Sequence, residues 1–261
     1  MIDLHCHLLP GIDDGARDLA TALEMARKAY ADGITTIACT PHIMPGVYDN
    51  TPDDIRARTL QLQAALVEAR IPLRLVTGAD VHIRPDLVGA LRRNVVLSLH
   101  QSRFVLFEPS HHVAPPRLDE IMFEAMAQGI IPILTHPERL TWIPAAYPLL
   151  QRLVQSGIWV QITAGSLTGR FGPAPQELAL RMLRDGLVHI VATDAHSPQR
   201  RPPLLAEAVA VAATILGPEE ARHLVITRPQ AILDNKASSV PLPAPVKPEK
   251  RGLMRRLFSG R

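Results

Sequence analysis

Cysteine is scarce in this chain, and long apolar runs are missing. Its 261 residues include two cysteines, Cys6 and Cys39, which are too few for the disulfide framework of a small secreted domain. No stretch reaches the roughly 18 uncharged apolar residues that would indicate a membrane span. The start MIDLHCHLLP also lacks the basic residues and apolar core of a secretory leader. We therefore expect a protein of the reducing cytoplasm.

Most of the chain also lacks an excess of positive charge. The net charge of +3 arises from the end of the chain, because residues 236–261 carry +6 and residues 1–235 carry −3. Nucleic-acid binding by the main body is therefore not indicated. A hydrophobic fraction of 47% is too high for a disordered chain and is typical of a globular protein.

Short apolar segments alternate with segments of helical periodicity, which predicts an α/β fold with a parallel sheet and helical crossovers. Seven such strands fit a closed (β/α) barrel better than an open sheet. The predicted strands are Ile2–Leu4, Thr35–Cys39, Leu73–Thr77, Phe104–Phe107, Ile131–Leu134, Ile158–Ile162 and Val188–Ala192. The predicted crossover helices are Ala20–Ala31, Pro52–Ala69, Arg117–Ala127, Tyr147–Gln155 and Pro175–Arg184.

The pattern after Asp194 is helical only, and a proline-rich linker follows it. The predicted C-terminal helices are Leu204–Ile215, Glu219–Leu224 and Pro229–Asp234. We expect one domain over residues 1–235, and over 236–261 a disordered linker and basic tail. The tail ends in a short basic amphipathic segment. It is either a frayed, solvated terminus or a contact for an anionic membrane surface or a protein partner.

The C-terminal ends of the predicted strands carry histidines and carboxylates. His5 and His7 alternate onto one face at the end of the first strand, where two imidazoles can bind one ion. Active sites of (β/α) barrels lie at this end of the strands. Five further strands deliver similar side chains there: His42, Asp80, Glu108, His136, and the pair Asp194 and His196. This ring predicts a metal site.

Asp14 follows the first strand in the sequence Asp13-Asp14-Gly15, where it is either a ninth ligand or a turn residue that caps the next helix. Nine candidates exceed the needs of one ion, so we expect two or three. Nitrogen and oxygen ligands suit Mn²⁺, Fe²⁺ or Zn²⁺. Ions of this kind activate water and support in-line displacement at phosphorus.

Two arginines follow candidate ligands and indicate an anionic substrate, because a guanidinium matches phosphate oxygens in a bidentate fork. They are Arg139, three residues after His136, and Arg201, after the pair Asp194 and His196; the alternative for each is a surface arginine. A cysteine nucleophile is not indicated, because the Cys-x5-Arg pattern of cysteine phosphatases is absent at both cysteines.

These motifs, taken together, resemble a known family. They are I-D-x-H-x-H at the start, I-D-D-G at 12–15, T-P-H at 40–42, G-A-D at 78–80, H-P-E-R at 136–139 and R-P-P at 201–203. Over residues 1–235 the chain resembles the PHP (polymerase and histidinol phosphatase) superfamily. Within it, the chain is similar to the manganese-dependent protein-tyrosine phosphatases of the CpsB/CapC/YwqE type.

The resemblance implies a distorted (β/α)7 barrel with three metal ions and an enzyme that removes phosphate from phosphotyrosine on proteins. Its implied partner is a bacterial tyrosine autokinase of capsule or exopolysaccharide synthesis. Asp80 stands where the family commonly has glutamate, which is one methylene longer. The implied assignments are His5 and His7 at one ion, Asp80, Glu108 and Asp194 as nearby ligands or bridges, His136 at a second ion, His42, His196 and Asp14 at a third, and Arg139 and Arg201 at the phosphate.

Other functions remain open from the sequence. The main alternative is a small-molecule phosphatase, such as a histidinol-phosphate phosphatase. A nuclease of the same superfamily fits less well with an acidic body. An amidohydrolase would commonly have a lysine where Glu108 stands, and a metal-free binding domain would leave a ring of buried charges unpaired. Four residues that can bear on the substrate are expected in loops near the barrel mouth: Tyr48, His111, His112 and Phe171.

Overall fold

Parallel strands form the centre of the molecule. The computed structural model describes residues 1–84, 87–93, 96–236 and 240–246. Its strands are β1 (Ile2–Cys6), β2 (Thr36–Cys39), β3 (His42–Ile43), β4 (Arg74–Thr77), β5 (Asp80–His82), β6 (Phe104–Glu108), β7 (Ile131–Thr135), β8 (Trp159–Thr163) and β9 (Ile190–Ala192). They pair in parallel in the orders β1-β2-β4 and β3-β5-β6-β7-β8-β9.

The nine segments correspond to seven barrel strands, because β2 with β3 and β4 with β5 each form one strand interrupted by two residues. The ring closes between β1 and the end of β9. There the Asp194 amide donates to the His5 carbonyl at 2.8 Å, and the His7 amide donates to the Ala195 carbonyl at 2.9 Å. The predicted distorted seven-stranded barrel is confirmed, and the two interruptions are the distortion.

Helices surround the barrel. They are α1 (Leu19–Ala31), α2 (Pro52–Glu68), α3 (Leu87–Arg92), α4 (Leu118–Ala127), α5 (Tyr147–Gln155), α6 (Ala164–Leu167), α7 (Pro173–Arg184), α8 (Ala206–Leu216), α9 (Pro218–Arg222) and α10 (Arg228–Leu233). The short helices α3 and α6 lie outside the predicted set, because neither is long enough to show a helical period. Asp18 caps α1 by accepting from the Thr21 amide at 2.8 Å, so Asp14 is not the cap of this helix.

Two apolar clusters lie on the two sides of the strands. A smaller one fills the barrel with side chains such as Leu4, Ala38, Leu106 and Ile133. The larger one packs the outer faces of the strands against the helices. Burial on both faces explains why the strands read as continuous apolar runs in the sequence, and it makes the barrel a rigid support for the side chains at its ends.

Arg228 is fully buried next to His189, which precedes β9, and so lies at the end of the barrel where the strands begin. Its guanidinium donates to the carbonyls of Pro241 and His189 and pairs with Glu220 at 2.6 Å. In the segment 240–246, which has no regular secondary structure, the Val246 amide donates to the Arg184 carbonyl at 2.8 Å. Residues 240–246, which belong to the predicted tail, therefore contact the body through these two hydrogen bonds.

The predicted basic amphipathic end of the tail lies outside the described residues. No helix in the described ranges is long and apolar enough to cross a membrane.

Candidate metal centre

All nine predicted ligands converge at the C-terminal end of the barrel. His5 and His7 come from the end of β1, and the other seven come from the ends of strands or the turns that follow them. Eight of the nine, all except Asp194, belong to overlapping ligand sets, and most of the members are buried. The structure therefore brings together what the sequence distributes over almost 200 residues.

The rings of His5 and His7 face each other through two nitrogen atoms that are both acceptors when the rings are neutral. Their Nε2 atoms lie 3.2 Å apart. The Nδ1 atom of His5 lies 2.8 Å from Gln161 Oε1, and that of His7 lies 2.7 Å from Asp13 Oδ2. Because both partners are acceptors, both Nδ1 atoms carry hydrogen, and in the neutral rings both Nε2 lone pairs point at one another. Only a cation between these atoms relieves that repulsion, so this pair fits a metal ion.

Carboxylates surround the same two rings. Asp80 Oδ2 lies 3.3 Å from His5 Nε2, and Asp194 Oδ1 lies 3.4 Å from Nε2 of both His5 and His7. Burial lowers the pKa of His5, but the carboxylates of Asp80 and Asp194 raise that pKa to about 9. The two carboxylates therefore favour positive charge at His5 Nε2, which a bound metal ion would supply.

A second set lies on the solvent side. Asp14 Oδ1 is 3.4 Å from His42 Nε2 and 3.3 Å from His196 Nε2. The Nδ1 atom of His196 lies 3.0 Å from the Asp194 carbonyl, so the lone pair of Nε2 faces a carboxylate oxygen. Burial, followed by the neighbouring His7, lowers the pKa of His196 to about 4. This set, which also includes His7, again has the chemistry of a cation site.

Asp80, His42 and Glu108 form a third set. Both carboxylate oxygens of Asp80 and the Nδ1 atom of His42 are buried and make no hydrogen bond. A bound metal ion would give these atoms a partner. His42 Nδ1 lies 3.6 Å from Asp80 Oδ2 and 3.3 Å from Glu108 Oε2. Buried polar atoms without partners are costly in a native fold, so their presence here supports metal ligation.

Glu108 also meets His136, whose Nε2 lies 3.6 Å from Glu108 Oε1. Burial and the adjacent Arg139 hold the pKa of His136 well below its usual range, which keeps the ring neutral and able to ligate. His111 completes this fourth set. The sequence predicted His111 only as a residue of the mouth, because it lies in a loop beyond the strand end.

Two site residues adopt left-handed backbone conformations, His136 with φ 34° and Asp194 with φ 48°. Such conformations cost non-glycine residues free energy and persist where the surroundings fix them. Asp3, which the sequence reasoning missed, fixes the turn at Asp194, since its carboxylate accepts from the Thr193 amide and hydroxyl. Burial raises the pKa of Asp3 to about 6.

Asp13 is a further missed residue. It bonds His7 and accepts from the His42 amide at 3.1 Å, which joins two ligand strands. Gly15 allows this loop to pack on the carbonyl of His7, since a Cβ at this position would clash with that oxygen. The Asp-Asp-Gly sequence indicates a functional carboxylate here, but it does not show which of the two aspartates orients His7, and the prediction named Asp14 alone.

Arg139 and Arg201 converge on one atom, because both guanidinium groups pair with Asp194 Oδ2. Phe171 lies beside both: the guanidinium carbon of Arg139 is 4.6 Å and that of Arg201 is 5.9 Å from the ring centroid. The predicted pair of arginines therefore stands together at the edge of the metal centre. Two guanidinium groups at one place form a site for a dianion.

The two cysteines lie apart from this chemistry. Cys6 and Cys39 are free and buried. Burial raises the pKa of the Cys6 thiol well above its usual range and that of Cys39 to about 12. A thiol of this kind is a poor nucleophile, in agreement with the sequence.

A parallel (β/α) barrel with imidazoles and carboxylates gathered at its C-terminal end is the arrangement of metal-dependent hydrolases. A sequence model of the family "Capsular polysaccharide synthesis, CpsB/CapC" matches residues 1–234. The chain belongs to this family.

Named relatives agree with this assignment. The tyrosine-protein phosphatase YwqE of Bacillus subtilis (strain 168) is 38% identical over 251 residues, which cover 96% of this chain and 98% of YwqE. CpsB of Streptococcus agalactiae serotype V, also a tyrosine-protein phosphatase, is 27% identical over 241 residues, covering 90% and 99%. The chain is also similar to a solved structure from work on YwqE of Bacillus subtilis and CpsB of Streptococcus pneumoniae, described as "unique metal-dependent tyrosine phosphatases". The TM-score is 0.88 at 36% identity, and the match covers 95% of this chain and 100% of the other.

Proposed function

We propose that this protein is a metal-dependent phosphatase that removes phosphate from phosphotyrosine on proteins. The observation that carries the proposal is the meeting of two elements at one end of the barrel. One is the ring of ligands with facing lone pairs, and the other is the pair Arg139 and Arg201 on Asp194. A site that combines metal ligands with two guanidinium groups suits a phosphate monoester, and the named relatives are tyrosine-protein phosphatases.

The nine predicted ligands, together with Mn²⁺ as the ion, form part of this proposal. Imidazole and carboxylate ligands without thiolate suit Mn²⁺, and the sets above have room for more than one ion. When bound, such ions supply Lewis acidity and lower the pKa of water. Gln161 and Asp13 orient His5 and His7, while Arg139 and Arg201 hold the phosphate and offset its developing charge.

The mouth of the site is open, which favours a protein substrate over a small metabolite. The Asp14 side chain is 51% exposed, and Tyr48 stacks on His42 at this rim with 5.5 Å between ring centroids. A cavity of about 470 Å³ is lined by apolar residues such as Ile83 and Val113, by charged residues such as Arg117 and Glu120, and by Ser110, which precedes His111. An exposed phosphotyrosine on a flexible peptide can reach such a site, and its flanking residues can lie in this cavity.

The proposed partner is a bacterial tyrosine autokinase of capsule or exopolysaccharide synthesis, whose phosphotyrosines the enzyme would remove. The family description and the names of the relatives support this role. We further propose that residues 1–235 form the catalytic domain, that 236–261 is an appendage to it, and that the enzyme works in the cytoplasm. The free thiols of Cys6 and Cys39 suit that reducing compartment.

The test is phosphate release by protein stripped with a chelator and reloaded with Mn²⁺. Substrates are a phosphotyrosyl peptide, its phosphoseryl counterpart and histidinol phosphate, with His136→Ala as the blank. We expect metal-dependent release from phosphotyrosine. Arg139→Ala should lower turnover by about a hundredfold or more while the metal content is unchanged.

Arg200→Ala is the matched control, since Arg200 is exposed on the same loop as Arg201. It should have normal turnover. Release from histidinol phosphate alone would move the function to small-molecule hydrolysis, and full activity of Arg139→Ala would remove Arg139 from the phosphate site.

A further inference from the structure

His111 occupies a position that the nine-residue motif does not include. Its Nε2 lies 3.7 Å from Glu108 Oε1, and its ring centroid is 5.1 Å from that of His136. The same Glu108 oxygen lies 3.6 Å from His136 Nε2. One ligand atom from each of these three residues lies within 4.8 Å of the others, which is the spacing of ligands around one ion.

The loop that carries His111 is held in place. The carbonyl of His111 accepts from the Thr141 amide at 3.0 Å and from the Thr141 hydroxyl at 3.1 Å. The preceding carbonyl, of Ser110, accepts from the indole of Trp142 at 2.9 Å. These bonds tie the loop after β6 to the segment that follows His136, so the two histidines have a defined spacing.

The ion site of Glu108 and His136 lacks a third ligand among the nine predicted residues. Asp80 belongs to two sets, one with His5 and His7 and one with His42 and Glu108. In the set that contains His136, it is His111 that joins Glu108. A site of Glu108 and His136 alone offers too few protein ligands for a tightly held ion, whereas a third ligand makes it complete enough to hold one.

We propose that His111 is a metal ligand, which completes the ion site formed by Glu108 and His136. Its side chain is 33% exposed, whereas that of His136 is 2% exposed. His111 is therefore the ligand on the solvent side of this ion, next to the route by which the substrate arrives. The proposal deepens the proposed function, because it concerns the metal content of the same site.

The experiment measures metal binding without substrate, so it is independent of phosphatase activity. Wild type, His111→Ala, His111→Asp and the matched control His112→Ala are stripped and dialysed against a series of free Mn²⁺ concentrations, and bound Mn²⁺ per chain is determined by mass spectrometry. His112 is exposed and adjacent, with its ring centroid 6.4 Å from that of His111. Thermal melts of all four proteins confirm folding.

We expect His111→Ala to weaken the binding of one ion per chain by about tenfold or more, and His112→Ala to bind as wild type does. His111→Asp should recover much of the loss, since a carboxylate is also a ligand. Equal binding by His111→Ala and wild type would overturn the proposal. Equal losses in His111→Ala and His111→Asp would also overturn it, because they would show that His111 acts as a hydrogen-bond donor to Glu108.

If the proteins bind metal as expected but release no phosphate from phosphotyrosine, the proposed function fails and the assignment of His111 stands.

Discussion

Both ends of the barrel bury histidines and charged side chains, but the two ends differ in whether these groups have hydrogen-bond partners. At the end where the strands begin, all three nitrogens of the Arg228 guanidinium donate to a carbonyl or carboxylate oxygen. There His189 Nδ1 also accepts from the Val160 amide at 3.1 Å. At the other end, the Nε2 atoms of His5 and His7 face each other, and the carboxylate oxygens of Asp80 accept no hydrogen bond. The first end is complete as a protein structure, while the second requires a cation.

This difference shows how to separate a structural polar cluster from a functional one. Burial and the presence of histidine are common to both ends, so neither property identifies the metal centre. What identifies it is that acceptor atoms face acceptor atoms, which a folded protein otherwise avoids. The comparison predicts that substitutions at the two ends will separate activity from stability.

The largest effect is expected at the ligand end. His7→Ala should lower phosphatase turnover by about a thousandfold or more, because it removes a ligand shared by two sets. In chelator-treated protein the same substitution should leave the midpoint of urea unfolding near the wild-type value, since it also removes a repulsive pair. Turnover assays and urea titrations check this. A large loss of stability in the metal-free variant would contradict the comparison.

The opposite result is expected for Arg228→Met. This substitution removes a fully buried guanidinium with three acceptors, which should lower the free energy of unfolding by about 3 kcal/mol. At temperatures where the variant is folded, bound metal and turnover should equal those of the wild type. The control is Arg222→Met on the exposed part of α9, for which little loss of stability is expected. Loss of metal from folded Arg228→Met would show that the two ends are coupled.

The smallest effect concerns the pH dependence of stability at His189. Burial, followed by the nearby Arg228, lowers the pKa of His189 to about 3. Between that value and the ordinary pKa of about 6.5, the unfolded chain binds more protons than the native one, so stability rises with pH. Stability should therefore fall by about 2 kcal/mol between pH 7.5 and pH 5 because of this group.

His189→Asn keeps an acceptor for the Val160 amide and removes this titration. Its stability, measured by urea unfolding in chelator, should fall less steeply than that of the wild type over the same pH range. Parallel curves for the two proteins would show that His189 is not the group responsible.

Much of the fold could be predicted because alternating apolar segments report strands that are buried on both faces. The interruptions of β2/β3 and β4/β5 could not be predicted, because Thr40-Pro41 and Gly78-Ala79 look like ordinary strand ends in the sequence. The segment 240–246 was expected to be disordered for its prolines. Its contacts with Arg228 and Arg184 depend on the folded body, which the local composition does not show.

The sequence by itself determined which side chains stand at the C-terminal ends of the strands. A parallel barrel brings those ends together whatever the details of its packing. The convergence of the predicted ligands follows from that topology alone.

Only the tertiary structure decided the pairing of individual atoms. That Gln161 and Asp13 orient the two facing imidazoles, that His111 reaches Glu108, and that Arg139 and Arg201 share Asp194 all depend on contacts across the barrel. Hydrogen bonds and ligation require atoms placed to within a few tenths of an ångström. Residue order specifies strand ends, whereas the folded backbone specifies such distances.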